Sequence, residues 1–125
     1  MRPRGGAGAS RVQPGFRLWL AGDDPSSPFG QGRWQLLQAI ESEGSLRAAA
    51  AGLGISYRKA WGDLRATENM LGVKLIAAHR GGATGGQTQL TPEGRAWLRA
   101  YDRFHTRVER AVSSAFAASF KDLLT

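Results

Sequence analysis

At 125 residues, 42% of them hydrophobic, the chain is sized for one domain with a modest core and a tail. A net charge of +7 and an isoelectric point near 11.0 call for an anionic partner, DNA before RNA or an acidic membrane. The lack of cysteine excludes a disulfide framework and a thiolate metal site, and no apolar run approaches the roughly 18 residues that span a bilayer.

Residues 1–14, rich in Gly, Ala and Arg without periodicity, read as a disordered basic arm. Arg2, Arg4 and Arg11 could meet phosphate or a minor groove, although an idle tail has the same composition. These arginines lack the apolar segment of a secretory signal, and a chain without cysteine is compatible with a reducing cytoplasm. From Phe16 to Leu20 the residues alternate, with Phe16, Leu18 and Leu20 on one side and Arg17 and Trp19 on the other, the pattern of a half-buried strand. Gly22 to Pro28 is turn-rich. A helix is predicted from about Gly30 to Ser42, with Trp34, Leu36, Leu37 and Ile40 inward and Gly44 ending it. It would buttress a pair of helices encoded between Ser45 and Gly72.

Two helix starts lie in that stretch. Ser45 and Ser56 can each accept a hydrogen bond from the free N–H groups of a helix. Gly52 and Gly54 bracket Leu53 and stop the first helix, and Gly54 suits a positive φ. Ala48 to Ala51 allow a second helix to cross closely, and Ile55 can plug the corner. Ala60, Leu64, Thr67 and Leu71 form the inward stripe of that second helix. Ser56, Tyr57, Arg58, Lys59 and Arg65 are then left at its start or on its outer side. The pattern is a helix-turn-helix, and those residues stand where a recognition helix meets base edges and phosphates. Arg and Lys can pair with guanine acceptors, and Tyr and Ser can donate to bases or phosphates. A helical hairpin in a plain core would share the alanines but has no need of two serine caps and a basic helix start. Trp61 neighbours both faces, so core packing and base contact stay open for it.

Lys74 to Arg80 reads as a strand, Gly81 to Gly86 as a turn, and Gln87 to Leu90 as a return strand with Leu90 inward. A hairpin after a recognition helix is a wing, and Arg80 at its base would supply charge to DNA. A surface hairpin that touches nothing would read the same way. Gly81-x-x-x-x-Gly86-Gln87-Thr88 nearly matches a phosphate-binding loop. Gln87 replaces the required lysine, and the next helix starts several residues too late.

Thr91-Pro92-Glu93 starts a helix: a capping threonine, a proline in the first turn, an acid at the positive dipole end. The helix can run to about Phe120. Trp97, Tyr101, Phe104, Val108, Ala111 and Ala115 alternate spacings of four and three, with Val112, Phe116 and Phe120 widening the stripe. That is a coiled-coil seam, and its length asks for a second subunit. Trp97, Tyr101, Phe104, Val108 and Val112 are the predicted dimerisation residues. The expected class is therefore mainly α with a small β wing: a basic arm over 1–14, a winged helix-turn-helix over 15–90 and a dimerisation helix and tail over 91–125.

Gly44-Ser45-Leu46 with Ala48-Ala49-Ala50, then Gly54-Ile55-Ser56-Tyr57-Arg58-Lys59-Ala60-Trp61, resembles the DNA-binding domain of ModE-type molybdate-responsive regulators. So does the glycine-rich wing followed by Leu90-Thr91-Pro92-Glu93-Gly94-Arg95. The step from Leu71 to Leu75 and the Leu-Thr-Pro-x-Gly turn are similar to the wider LysR-type regulators. The match covers roughly Phe16 to Val112. The resemblance implies a homodimer on a palindromic operator in double-stranded DNA, often as a repressor. It also implies C-terminal domains that bind molybdate or tungstate, for which this chain leaves no room after its long helix; it reads as a single-domain relative or a truncated form, with no ligand or cofactor assigned. A non-specific architectural or adaptor protein is the alternative. An enzyme is not expected, since the two histidines, His79 and His105, read as surface or packing residues and no paired acids stand at catalytic spacing.

Overall fold

Three glycines end the three short helices. In the computed structural model, which describes residues 11–25, 28–79 and 87–124, α1 (Gln31–Glu43), α2 (Leu46–Leu53) and α3 (Tyr57–Leu71) stop at Gly44, Gly54 and Gly72. These glycines have φ of 71°, 71° and 73°, a region that costs other residues strain. The serine caps form as the sequence requires. Ser45 Oγ accepts from the Ala48 N–H at 3.1 Å and Ser56 Oγ from the Lys59 N–H at 2.9 Å, each worth about 1 kcal/mol. Gly52 is tolerated inside α2, and only Gly54 stops it.

Two strands and a long helix complete the order: β1 (Ile76–His79), β2 (Gln87–Leu90) and α4 (Pro92–Leu124). The strands pair antiparallel, from Ile76 opposite Leu90 to His79 opposite Gln87. Arg80 and the glycine turn of the expected wing lie outside the described residues. The residues divide into two compact units, Leu18–Arg103 and a second built from 11–17 with 104–124. Among the described residues, no helix is long and apolar enough to cross a membrane.

The core of the first unit gathers Leu36, Leu37 and Ile40 of α1, Leu46, Ala49 and Ala50 of α2, and Ala60 and Leu64 of α3. Phe29, Leu75, Ile76, Leu90, Leu98 and Tyr101 complete it. Each large side chain buried there gains about 1.5–3 kcal/mol from leaving water. Ala49 and Ala50 let α2 lie close to its neighbours. Ile55 packs half-buried against the same cluster, as a corner plug would.

Polar staples fix the hairpin to the helices. The Thr88 N–H donates to the Gly44 carbonyl at 3.0 Å, and Thr88 Oγ accepts from the Leu46 N–H at 3.2 Å. The Glu68 carboxylate, on the last turn of α3, accepts from the Leu75 N–H at 2.7 Å and the Ile76 N–H at 3.4 Å. Thr91 caps α4 through the Gly94 N–H at 2.9 Å and donates to the Lys74 carbonyl at 2.6 Å. Gly94 is buried where α4 passes the Leu75 backbone, and a Cβ there would overlap the Leu75 carbonyl oxygen.

Three expectations are corrected. Residues 16–20 keep their alternating burial but form no strand. Only Leu20 pairs, in a two-bond bridge with Phe29 at 2.8 and 2.9 Å, because among the described residues no longer segment runs alongside to extend it. The strand expected to begin at Lys74 begins at Ile76, since the Lys74 and Leu75 carbonyls are taken by Thr91. Tyr101, expected on the dimerisation seam, is 2% exposed in the core. Its hydroxyl donates to the Leu18 carbonyl at 2.8 Å, and its ring lies 5.2 Å from Phe29 and 5.5 Å from Trp34. Burial pushes the Tyr101 phenol pKa up. Trp97 is half-buried against the same core, and Trp34 Nε1 donates to Asp102 at 2.7 Å.

In the second unit the Phe16 ring lies 5.3 Å from the His105 ring, giving that histidine a packing role. Val108, Val112 and Phe116 are half-buried, while Phe104 and Phe120 remain 42% and 44% exposed.

Candidate nucleic-acid interface

Helix α3 turns Ala60, Leu64 and Thr67 into the core, so its other faces must meet solvent. Tyr57, Arg58, Lys59, Gly62, Arg65 and Asn69 are exposed along them. Tyr57 and Arg65 thereby stand on one exposed flank of the helix, Lys59 on the other and Arg58 between them, with Ser56 exposed at the N-terminal edge. The Ser56 oxygen is engaged in capping, which leaves its O–H free to turn outward.

One flank of α3 is a stack of aromatic and guanidinium groups. The Arg47 guanidinium, from α2, lies 4.4 Å over the Tyr57 ring. Tyr57 meets Trp61 edge-on at 6.2 Å, and Arg65 lies 5.8 Å from the Trp61 ring centre. Tyr57, Trp61 and Arg65 recur every four residues and so share this side. Stacking occupies a guanidinium's face and leaves its in-plane N–H groups for a phosphate or a guanine edge. Trp61, left open by the sequence, is half-buried against the core and also part of this stack.

The opposite flank is an ion-pair node. Lys59 Nζ lies 3.1 Å from Asp63 Oδ2 and 3.4 Å from Oδ1. Arg33 of α1 reaches the same carboxylate at 3.5 Å and donates to Thr67 Oγ1 at 2.9 Å. Lys59 is therefore exposed but engaged, whereas Arg58 stands at the helix start between the flanks. On α4, Arg95 donates to the Leu90 carbonyl at 2.8 Å, and Arg99 pairs with Glu41 at 2.8 Å. The hydrogen bond and charge of Glu41 raise the Arg99 pKa above its ordinary value.

Sequence reasoning missed Arg47 and Asp63. Asp63 could have been found, because Lys and Asp four residues apart pair on a helix. Arg47 could not, because its place over Tyr57 depends on how α2 crosses α3.

The model of bacterial regulatory helix-turn-helix proteins of the lysR family matches residues 32–95. The molybdenum-pterin-binding protein MopB of Rhodobacter capsulatus is 35% identical over 111 residues, covering 89% of this chain and 40% of its own. The molybdenum transport protein ModE of Azotobacter vinelandii is 34% identical over 89 residues, 71% of this chain and 33% of its own. The chain thus spans 40% or less of these relatives. Among solved structures, a complex of the CbnR DNA-binding domain with DNA superposes with a TM-score of 0.55 at 26% identity, covering 70% of this chain and 95% of that one. The BenM DNA-binding domain on benA site 1 DNA gives 0.52 at 25% identity, with 70% and 94% covered.

Proposed function

We propose, for a chain that belongs to the lysR family of bacterial regulatory helix-turn-helix proteins, that it binds double-stranded DNA sequence-specifically and regulates transcription as a ModE-like homodimer. Helix α3 enters the major groove. Tyr57, Arg58 and Arg65 meet base edges and phosphates, Ser56 donates at the helix start, and Lys59 serves a phosphate. The hairpin flanks the groove, with Arg80 supplying charge. The observation that carries this reading is the exposed basic surface of α3, held from behind by a buried stripe.

Dimerisation uses the second unit, where Phe104, Val108 and Val112 lie on α4 with too little protein over them to be buried. A second copy would cover that face and set two recognition helices about 34 Å apart, as a palindromic operator requires. The molybdenum in the relatives' names belongs to proteins more than twice as long, and no oxyanion ligand is assigned to this segment.

The test is enrichment from a randomised duplex library, followed by competition against mixed-sequence DNA. Recovery of a two-fold symmetric motif, bound at least about a thousandfold more tightly than mixed sequence, is expected. A ratio near one would replace this reading with a non-specific architectural protein.

A further inference from the structure

The geometry points to Gly62 as the place where a duplex comes nearest to the α3 backbone, a base-pair edge resting on the helix with no side chain between. This inference rests on the DNA-binding reading above. Gly62 is the sixth of the 15 residues of α3, well inside the helix, where glycine is the poorest former after proline. The fold gives no reason for it. The position is exposed, and a Cβ built there would meet nothing within 4 Å. Gly94 shows the contrast, since a Cβ there would strike the Leu75 backbone.

The surroundings of Gly62 supply the reason. At about 100° per residue, Gly62 falls between the two flanks of α3. On one side stand Tyr57, Trp61 and Arg65, held as a stack. On the other stand Lys59 and Asp63, held as an ion pair. Two raised rails with a glycine between them leave a gap whose floor at Gly62 is backbone, with Arg58 and Asn69 exposed on the same face one and two turns away. Arg65 borders it on one side and Lys59, shared with the Asp63 carboxylate, on the other, so a cation stands on each side where a rod with negative edges and a neutral middle would lie. A duplex entering by its major groove has that form, with phosphates along the edges and base pairs between. Glycine is the residue that permits close approach of a backbone to a ligand.

The experiment uses the whole chain as unmodified protein, G62A and G62Q, with the duplex enriched by the unmodified chain as probe. Thermal unfolding of G62A is expected to rise by a few degrees, because alanine favours the helix and meets no obstacle. Binding is expected to weaken about tenfold in G62A and further in G62Q, which keeps helix propensity but fills the gap. Opposite signs for stability and affinity are a result that a merely structural glycine cannot give. G62A and G62Q that bind as tightly as the unmodified chain overturn this inference and leave the DNA-binding reading standing. A fall in the unfolding temperature of G62A also overturns it, by showing that the fold needs the glycine. No binding of any duplex by the unmodified chain overturns the proposed function, and this inference with it.

Discussion

Replacing Asp63 by Asn should make the protein less stable and a stronger binder of DNA. Asp63 holds two cations, Lys59 at 3.1 Å and Arg33 at 3.5 Å. The Lys59 pair is exposed and spaced i to i+4, so it contributes about 0.3–0.5 kcal/mol. The Arg33 pair is partly buried, with side chains 16% and 22% exposed, and contributes about 1 kcal/mol. Asn keeps one acceptor and the Arg33–Thr67 hydrogen bond is untouched, so the net loss should be about 1 kcal/mol. On DNA the balance reverses. A carboxylate about 7 Å from a phosphate repels it by roughly 0.6–2.4 kcal/mol for effective dielectric constants of about 80 to 20, before salt screening. Removing that charge also releases Lys59. Affinity for mixed-sequence duplex should rise about fivefold, the equivalent of ~1 kcal/mol. The slope of log K against log salt should steepen by about 0.9 for the phosphate gained. Fluorescence anisotropy across a salt series, beside thermal unfolding, reads both effects. Weaker binding or an unchanged slope would refute the reasoning, because Asp63 would then be aiming Lys59 at the duplex rather than restraining it.

Glu68→Ala should destabilise the protein by about 2–3 kcal/mol, since it strands the Leu75 N–H now bonded to a carboxylate. Faster amide exchange at Leu75 is the local check, and exchange unchanged from the unmodified chain would dismiss the staple. Gly94→Ala should cost about 3 kcal/mol or more, because the obstacle is the Leu75 backbone and not a movable side chain. A urea midpoint equal to that of the unmodified chain would contradict it. Val108→Glu places a charge on the half-buried face of α4 in the second unit and should weaken self-association at least about tenfold by sedimentation. An unaltered dimer would move the interface elsewhere.

The helix-turn-helix was legible because its signals are local. A serine before a helix and a glycine after it act through hydrogen bonds a few residues away, so Ser45, Gly54 and Ser56 could be read without the rest of the chain. Alternation over residues 16–20 was a weaker guide. It says which side chains face inward, and it does so correctly for Leu18 and Leu20, but it cannot show whether another strand lies alongside. Tyr101 failed for a related reason. Spacings of four and three mark an apolar face, and the same spacing serves a helix covered by its own domain or by a second copy. What separates the two is the polar end of the side chain. The Tyr101 hydroxyl needs an acceptor when buried, and the Leu18 carbonyl, 83 positions away in sequence, provides it. Side-chain placements divide the same way: the exposure of Tyr57, Arg58, Lys59 and Arg65 follows from helix phase, whereas Arg47 over Tyr57 and Glu68 against the start of β1 depend on how elements cross.

The attachment of the hairpin to α3 shows how so small a core can hold a precise surface. Apolar contacts are non-directional, so Leu75, Ile76 and Leu90 alone would let β1 and β2 slide over the helices with little change in energy. Hydrogen bonds are directional, and those to a carboxylate are stronger than those between neutral groups. Glu68 grips the start of β1, Thr88 ties β2 to the α1–α2 junction, and Thr91 joins the start of α4 to Lys74. These attachments lie on three separate elements, so together they fix both the position and the angle of the hairpin. On the proposed reading, a substitution at any of them would change how a duplex is met without removing a group proposed to face it. Glu68→Gln sharpens the point, since it retains an acceptor and loses only the charge. If direction is what matters, it should preserve most of the DNA affinity that Glu68→Ala loses. Equal losses in the two variants would show instead that the charge itself, and not the geometry it imposes, governs binding.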